Sequence, residues 1–207
     1  MLDSKLHRRL LDISYKYKLH HLGSYFSCVD IIDEIYSRMK EDDIFILSNG
    51  HASVALYTVI EKYFGFDAEK LLDDLGEHPS RDESRKIHCT TGSLGMGITV
   101  AVGRALTDKT RNVYCLISDG ECYEGSIWEA AISAVEFDLD NLTVFVDCNG
   151  FQNDGAVGKA MTYDAIKRKW AGFGWHCMEC DGHNIGSIIS CLNETASNMP
   201  KAILAKT

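Results

Sequence analysis

The chain has 207 residues, a net charge of −9, 45% apolar residues and 25% charged residues. It is long enough for one large domain that buries about 70% of its unfolded surface, and its composition excludes a disordered, collagen-like or low-complexity polypeptide. The acidic balance, with a pI of about 5.3, opposes nucleic acid and anionic membranes as partners, and no apolar run approaches the ~20 residues of a membrane span.

Residues 4–20 read as an amphipathic helix. The basic N-terminus has no continuous apolar stretch and no small-residue cleavage site, so it is not read as a signal peptide. A cytoplasmic protein is the expectation. Ser27 stands where an N-cap belongs, before the segment CVDIIDEIYSRM. In that segment Val29, Ile32, Ile35, Tyr36 and Met39 recur at helical spacing. A short strand is expected over 44–48, then a helix over 51–64 with Gly65 near its end. Residues 76–91 are polar and loop-like, and the glycine-rich TTGSLGMG leads into the helix ITVAVGRAL. From there strands and helices alternate. Strands are expected over 112–117, 141–146, 175–180 and 202–207, and helices over 126–137, 165–173 and 184–196. Strands separated by helical crossovers imply a parallel sheet covered on both faces. The expected fold is a single α/β domain over 1–207, a three-layer sandwich with a mostly parallel sheet.

The eight cysteines lie mostly inside apolar segments. In a reducing compartment they read as buried, inert thiols. Cys177 and Cys180 have a C-x-x-C spacing, but residues three apart on a strand face opposite sides, and a structural zinc needs a second ligand pair.

Parallel α/β sheets bind ligands at the carboxyl ends of their strands. One strand runs into Ser118-Asp119-Gly120-Glu121 and the next into Asp147-Cys148-Asn149-Gly150-Phe151. A carboxylate, an amide oxygen and a backbone carbonyl are hard ligands suited to Mg²⁺ or Ca²⁺. Gly120, without a Cβ, lets a backbone N–H approach a phosphate oxygen. The same Asp-Gly pair is equally a plain strand-to-helix turn. Gly92, Ser93 and Leu94 precede a helix N-terminus, which either offers N–H groups to an anion or makes a tight turn for close packing. His21, His51 and His78 each stand at a predicted loop or helix end, where binding residues concentrate. Taken singly, each also reads as a surface or capping histidine.

Five ordered motifs carry a resemblance: H-x-G-x-x-x-S-x-x-D-I from His21, L-S-x-G-H-A from Leu47, T-T-G-S-L-G from Thr90, D-G-E-x-x-E-G-x-x-W-E-A from Asp119 and N-G-x-Q-x-D-G from Asn149. From about residue 10 to 207 the chain resembles the thiamine-diphosphate-binding N-terminal domain of transketolases, and above all the N-terminal subunit of split, two-chain members. The resemblance implies thiamine diphosphate and Mg²⁺ as cofactors, with Ca²⁺ or Mn²⁺ as alternatives. It implies transfer of a two-carbon ketol unit from a ketose to an aldose. Asp119, Asn149 and the Phe151 carbonyl match the metal ligands. Gly120, Glu121, Asn149, Gly92, Ser93, Leu94 and His51 match positions around the cofactor. His21, His51 and His78 match the catalytic histidines, and Glu124 and Glu129 match acidic residues near a subunit interface.

The same resemblance implies a partner. The pyrimidine-binding domain, with its activating glutamate, is missing from these residues. A second chain is expected to supply it, in a hetero-oligomer such as a heterotetramer that takes sugar or sugar-phosphate substrates. Relatives also continue beyond Ala205-Lys206-Thr207 through a further loop with another active-site histidine. A related carboligase acting on a modified sugar and a noncatalytic cofactor-binding module are the competing readings.

Overall fold

The computed structural model describes residues 3–152 and 155–207. Helix α1 (Ser4–Tyr17) starts at Asp3, whose carboxylate accepts the N–H groups of Lys5 and Leu6. Leu6, Leu10 and Ile13 form its buried stripe at helical spacing. Helix α2 (Leu22–Tyr36) is buried on nearly every side, as its long apolar run requires. It begins earlier than the sequence suggests. His21 is its N-cap residue without a side-chain capping bond, and Leu22-Gly23 is helix, not a turn. Ser27 is therefore no cap. Its hydroxyl, inside the second turn, bonds the Ser24 carbonyl at 3.1 Å and Asp147 Oδ2 at 2.5 Å.

Strand β1 (Ile44–Leu47) leads through the short 3-10 turn Gly50–Ala52 into α3 (Ser53–Phe64), which Gly65 ends in a left-handed conformation. Helix α4 (Ala68–Leu75) follows, capped by Asp67, whose carboxylate accepts the Lys70 N–H at 3.0 Å. The sequence reading misses this helix because it is short and only one face is apolar. Then come α5 (Met96–Thr107), β2 (Val113–Ser118), α6 (Gly125–Glu136) and β3 (Leu142–Cys148). Two short strands, β4 (Phe151–Gln152) and β5 (Gly155–Ala156), pair antiparallel in a stretch to which the sequence reading assigns no element. Helix α7 (Tyr163–Gly172), β6 (His176–Asp181), α8 (Ile185–Asn193) and β7 (Lys201–Lys206) complete the chain. Helix α8 stops at Asn193, short of the expected 196.

The main sheet has five parallel strands in the order β1-β2-β3-β7-β6. Its side chains alternate between two cores. Phe45, Leu47, Leu116, Phe145 and Ile203 pack under α1 to α4 and α8. Ile44, Ile46, Cys115, Ile117, Val144 and Leu204 pack under α5, α6 and α7. This is the three-layer α/β sandwich expected. The alternation also separates Cys177, on the α7 side, from Cys180, on the α2 and α8 side. No helix among the described residues is long and apolar enough to cross a membrane.

Candidate functional site

The parallel sheet brings the carboxyl ends of β1, β2 and β3 to one edge, and a cavity of about 660 Å³ opens there. Its wall collects residues from five segments that are far apart in sequence: His20 and His21 before α2, His51 after β1, His78 and Gly92 from the α4–α5 loop, Ser118 and Gly120 after β2, and Asn149 and Phe151 after β3. The structure thus brings together His21, His51, His78, Gly92, Leu94, Gly120, Asn149 and Phe151 of the expected site. Ser93 is exposed and does not line the cavity. Asn153 and Asp154, the x-D of the last motif, lie outside the described residues.

Asp119 lies beneath the cavity floor and is 2% exposed. Its two carboxylate oxygens accept the N–H groups of Gly120 and Gly150, each at 2.8 Å. No cationic side chain pairs with it among the described residues. Burial raises its pKa to about 6, against the pull of these backbone donors. A buried carboxylate in this state lacks a countercharge. Beside it, the Asn149 amide oxygen accepts the Phe151 N–H at 2.8 Å, and Phe151 opens the exposed β4 strand.

The histidines line the same cavity. The rings of His21 and His51 lie 5.1 Å apart between centroids, tilted by 48°. His51 is half-buried, and burial lowers its pKa to about 4, with further lowering from His21 and His78. It is therefore neutral at physiological pH and can accept or donate a hydrogen bond at either ring nitrogen. The His78 ring rests on Gly92, where a Cβ would come within 3.0 Å of its Cδ2. Gly92 itself has a φ of 145°. Glycine is required here for both backbone conformation and space.

Glu121 departs from its expected place. Its carboxylate is fully buried and receives three donors: Ser48 Oγ at 2.7 Å, Gly95 N–H at 2.8 Å and Ser118 N–H at 3.1 Å. Held by three donors inside the protein, it does not line the cavity. The glycine-rich loop accordingly presents fewer free N–H groups than its sequence implies, because that of Gly95 is taken.

Sequence reasoning also missed residues that line the cavity. His20 is the partner in a histidine doublet, a signal the sequence held. Gln152 is the glutamine of the N-G-x-Q motif, to which sequence reasoning gives no role, and Tyr123 has no comparable signal. The Tyr123 hydroxyl accepts the Gly158 N–H at 2.8 Å and so fastens the segment that follows β5 to the turn after β2. That pairing spans 35 positions. Glu124 lines the cavity, whereas Glu129 is exposed on α6.

Comparison with known proteins agrees with this architecture. Residues 9–207 match the family model described as transketolase, thiamine diphosphate binding domain. One subunit of an apulose-4-phosphate transketolase of Phocaeicola vulgatus is 35% identical, across 90% of this chain and 73% of the relative. One subunit of a 6-deoxy-6-sulfo-D-fructose transketolase of a Clostridium species is 37% identical, across 90% of this chain and 76% of the relative. Among solved structures, a transketolase variant of Pichia stipitis superposes with a TM-score of 0.75 at 25% identity. The match covers 89% of this chain and 35% of that one, so the chain spans about a third of the solved transketolase's length.

Proposed function

The chain belongs to the transketolase N-terminal, thiamine-diphosphate-binding family, and from that premise we propose that it is the diphosphate-binding subunit of a two-chain, transketolase-like ketol transferase. The observation that carries the proposal is Asp119. It is a buried carboxylate without a cationic partner among the described residues, between Ser118 and Gly120 of a cavity that three histidines of the matching motifs also line. The donor set fits a hard dication: the Asp119 carboxylate, the Asn149 amide oxygen and the backbone carbonyl of Phe151 are all oxygen ligands of the kind Mg²⁺ takes. These residues would hold Mg²⁺, with Ca²⁺ or Mn²⁺ as alternatives, and Gly120, Gly92, Leu94 and His51, which line the cavity, would hold the diphosphate and thiazolium of the cofactor. When bound, thiamine diphosphate supplies the electron sink that carbon–carbon bond cleavage needs.

The protein's own residues bind and orient. Gly120 lines the cavity, and a Cβ there would crowd Gln152 Cβ at 3.3 Å, so glycine leaves the backbone bare toward a phosphate oxygen. His51, kept neutral by burial, donates a hydrogen bond where the diphosphate and substrate meet. His21 and His78, which line the same cavity, hold substrate hydroxyls and move protons at them. Residues 1–207 act as one domain of the diphosphate-binding type. The pyrimidine-binding half comes from a second chain in a hetero-oligomer, a reading supported by the names of the relatives, which describe each as one subunit of a transketolase. The same names, for apulose-4-phosphate and 6-deoxy-6-sulfo-D-fructose, favour a modified ketose as donor over a common sugar phosphate.

The test is native co-purification of the tagged chain, followed by assay of the eluted complex for thiamine diphosphate, Mg²⁺ and two-carbon transfer. A panel of plain and modified ketose donors gives the substrate class. A second chain of pyrimidine-binding type, bound cofactor and ketol transfer are the expected results. A lone chain without cofactor or turnover overturns the proposal in favour of a noncatalytic module.

A further inference from the structure

Three segments that meet at the cavity are held by one side chain. The first is the β1 exit, which carries Ser48 and, three residues on, His51. The second is the glycine-rich loop, which carries Gly92, Leu94 and Gly95. The third is the β2 exit, which carries Ser118, Asp119 and Gly120. Glu121 Oε1 accepts both the Ser48 hydroxyl at 2.7 Å and the Gly95 N–H at 2.8 Å, while Oε2 accepts the Ser118 N–H at 3.1 Å. The carboxylate is fully buried, and each donor comes from a different segment.

The surroundings leave these segments little freedom to meet in another way. A Cβ on Gly97 would stand 2.6 Å from Ser48 Cα, and one on Gly50 would stand 2.7 Å from Gly92 N. Backbone therefore lies against backbone at both places. Gly95 has a φ of 77°, and a Cβ there would meet Ser126 Oγ at 2.3 Å. Side chains cannot adjust the gap between the β1 exit and the glycine-rich loop, because glycines have removed them. The remaining adjustable link is the bond set of Glu121. Its own N–H is anchored by Ser118 Oγ at 3.2 Å, so the head group and the main chain of the residue are fixed together.

We infer that Glu121 is a positioning residue for the cofactor cradle: its carboxylate sets the spacing of the His51 turn, the glycine-rich loop and the Asp119-Gly120 turn without touching ligand. This inference rests on the cofactor reading above only in naming those three segments as the cradle. Charge-assisted hydrogen bonds to one buried acceptor are the strong ones, and a carboxylate can serve three donors at once. A glutamine cannot. Its single oxygen keeps at most two of the donors, and its NH₂ then faces the Ser118 N–H, donor against donor.

The experiment uses the full chain, assembled with its co-purified partner for the binding measurement, as wild type, Glu121→Gln and Ser48→Ala. Four quantities are read: hydrogen exchange of the Gly95 amide, the ring resonances of His51, the Kd for thiamine diphosphate at saturating Mg²⁺, and Tm. In Glu121→Gln the Gly95 amide exchanges at least about tenfold faster, the His51 resonances move and Kd rises about tenfold, as expected for one lost charge-assisted bond. Ser48→Ala, which deletes one donor, moves the His51 resonances and raises Kd about threefold. A folded Glu121→Gln chain with wild-type exchange, resonances and Kd, even at a lower Tm, overturns the inference and leaves a merely structural residue. If Glu121→Gln does not fold, unchanged resonances and Kd in Ser48→Ala overturn it instead. Failure of the wild-type chain to bind cofactor counts against the cofactor reading, while exchange and ring resonances still decide the role of Glu121.

Discussion

Two neighbouring strand ends carry buried aspartates, and their surroundings could hardly differ more. Asp119, after β2, receives only backbone N–H groups from Gly120 and Gly150 and lies under an open cavity. Asp147, in register beside Ser118 on β3, is fully buried. Its two oxygens are closed off by the hydroxyls of Ser27 at 2.5 Å and Thr207 at 2.6 Å. By topology Asp147 has the stronger claim on a ligand. The strand order reverses between β3 and β7, and such switch points are where open α/β sheets usually bind. Here that crevice is sealed by α2 and the chain after β7, and the cavity opens one strand away. A carboxylate serves a site when its donors leave one side free, and serves the fold when side chains occupy both oxygens.

The largest effect expected from this contrast is on binding. Asp119→Ala should weaken Mg²⁺-dependent thiamine diphosphate binding by more than about a hundredfold in the assembled complex, since it removes the only charged donor of the proposed set. Calorimetric titration checks it. Unchanged affinity would break the comparison by showing that the open carboxylate is no more functional than the sealed one.

The next effect separates the two ends by pH. His51, on the open side, has its pKa lowered to about 4 from 6.5 by burial, with His21 and His78 adding to it. A histidine that is harder to protonate in the folded state than in the unfolded one contributes stability that is complete above pH 6.5. That stability is lost as the pH falls from 6.5 toward 4. The loss amounts to at most about 3 kcal/mol for a difference of this size. His88 follows the same direction, also to about 4, chiefly through burial. The expected result is that His51→Gln flattens the fall of Tm between pH 7 and pH 4 without abolishing it, His88 supplying the remainder. An unaltered slope in the variant would mean that the His51 pocket admits water and that its neutral state is not enforced.

Much of this was legible in the sequence, and the parts that were not share a cause. Long periodic segments such as NLTVFV and SIWEAAISAVEF announced β3 and α6, because burial on one or both faces dictates their pattern. The strand-end motifs around Asp119, Asn149 and His51 lie at the edge of the sheet where the cavity opens. Contacts between distant segments were not legible. Ser27 looks like a helix cap because capping residues and buried hydroxyl donors are chemically the same; only the fold shows that its partner is Asp147, 120 positions away. Glu121 looks like a ligand residue for the same reason. Its neighbours in sequence touch the cavity, and its three donors are visible only once β1, the glycine-rich loop and β2 are assembled.

The sealed aspartate gives the two smaller predictions. Asp147→Ala should cost about 2 kcal/mol of stability, because Thr207 loses its acceptor and the packed site is left with a void. Ser27 loses less, since it retains the Ser24 carbonyl at 3.1 Å. Asp147→Asn should cost less than about 1 kcal/mol. Burial raises the Asp147 pKa, against the two hydroxyl bonds that lower it, which means the charge itself is disfavoured where it lies. A neutral side chain of the same shape keeps one hydroxyl as donor, offers its own NH₂ to the other and removes the buried charge. Denaturant titration of both variants, with cofactor affinity measured alongside, checks the pair. The sealed end is a fold element if alanine destabilises, asparagine is tolerated and the Kd for thiamine diphosphate stays within about threefold in each. A large change in Kd with asparagine would instead show that the Asp147 charge is felt across the one-strand gap at Asp119, and that the two carboxylates form a single electrostatic site.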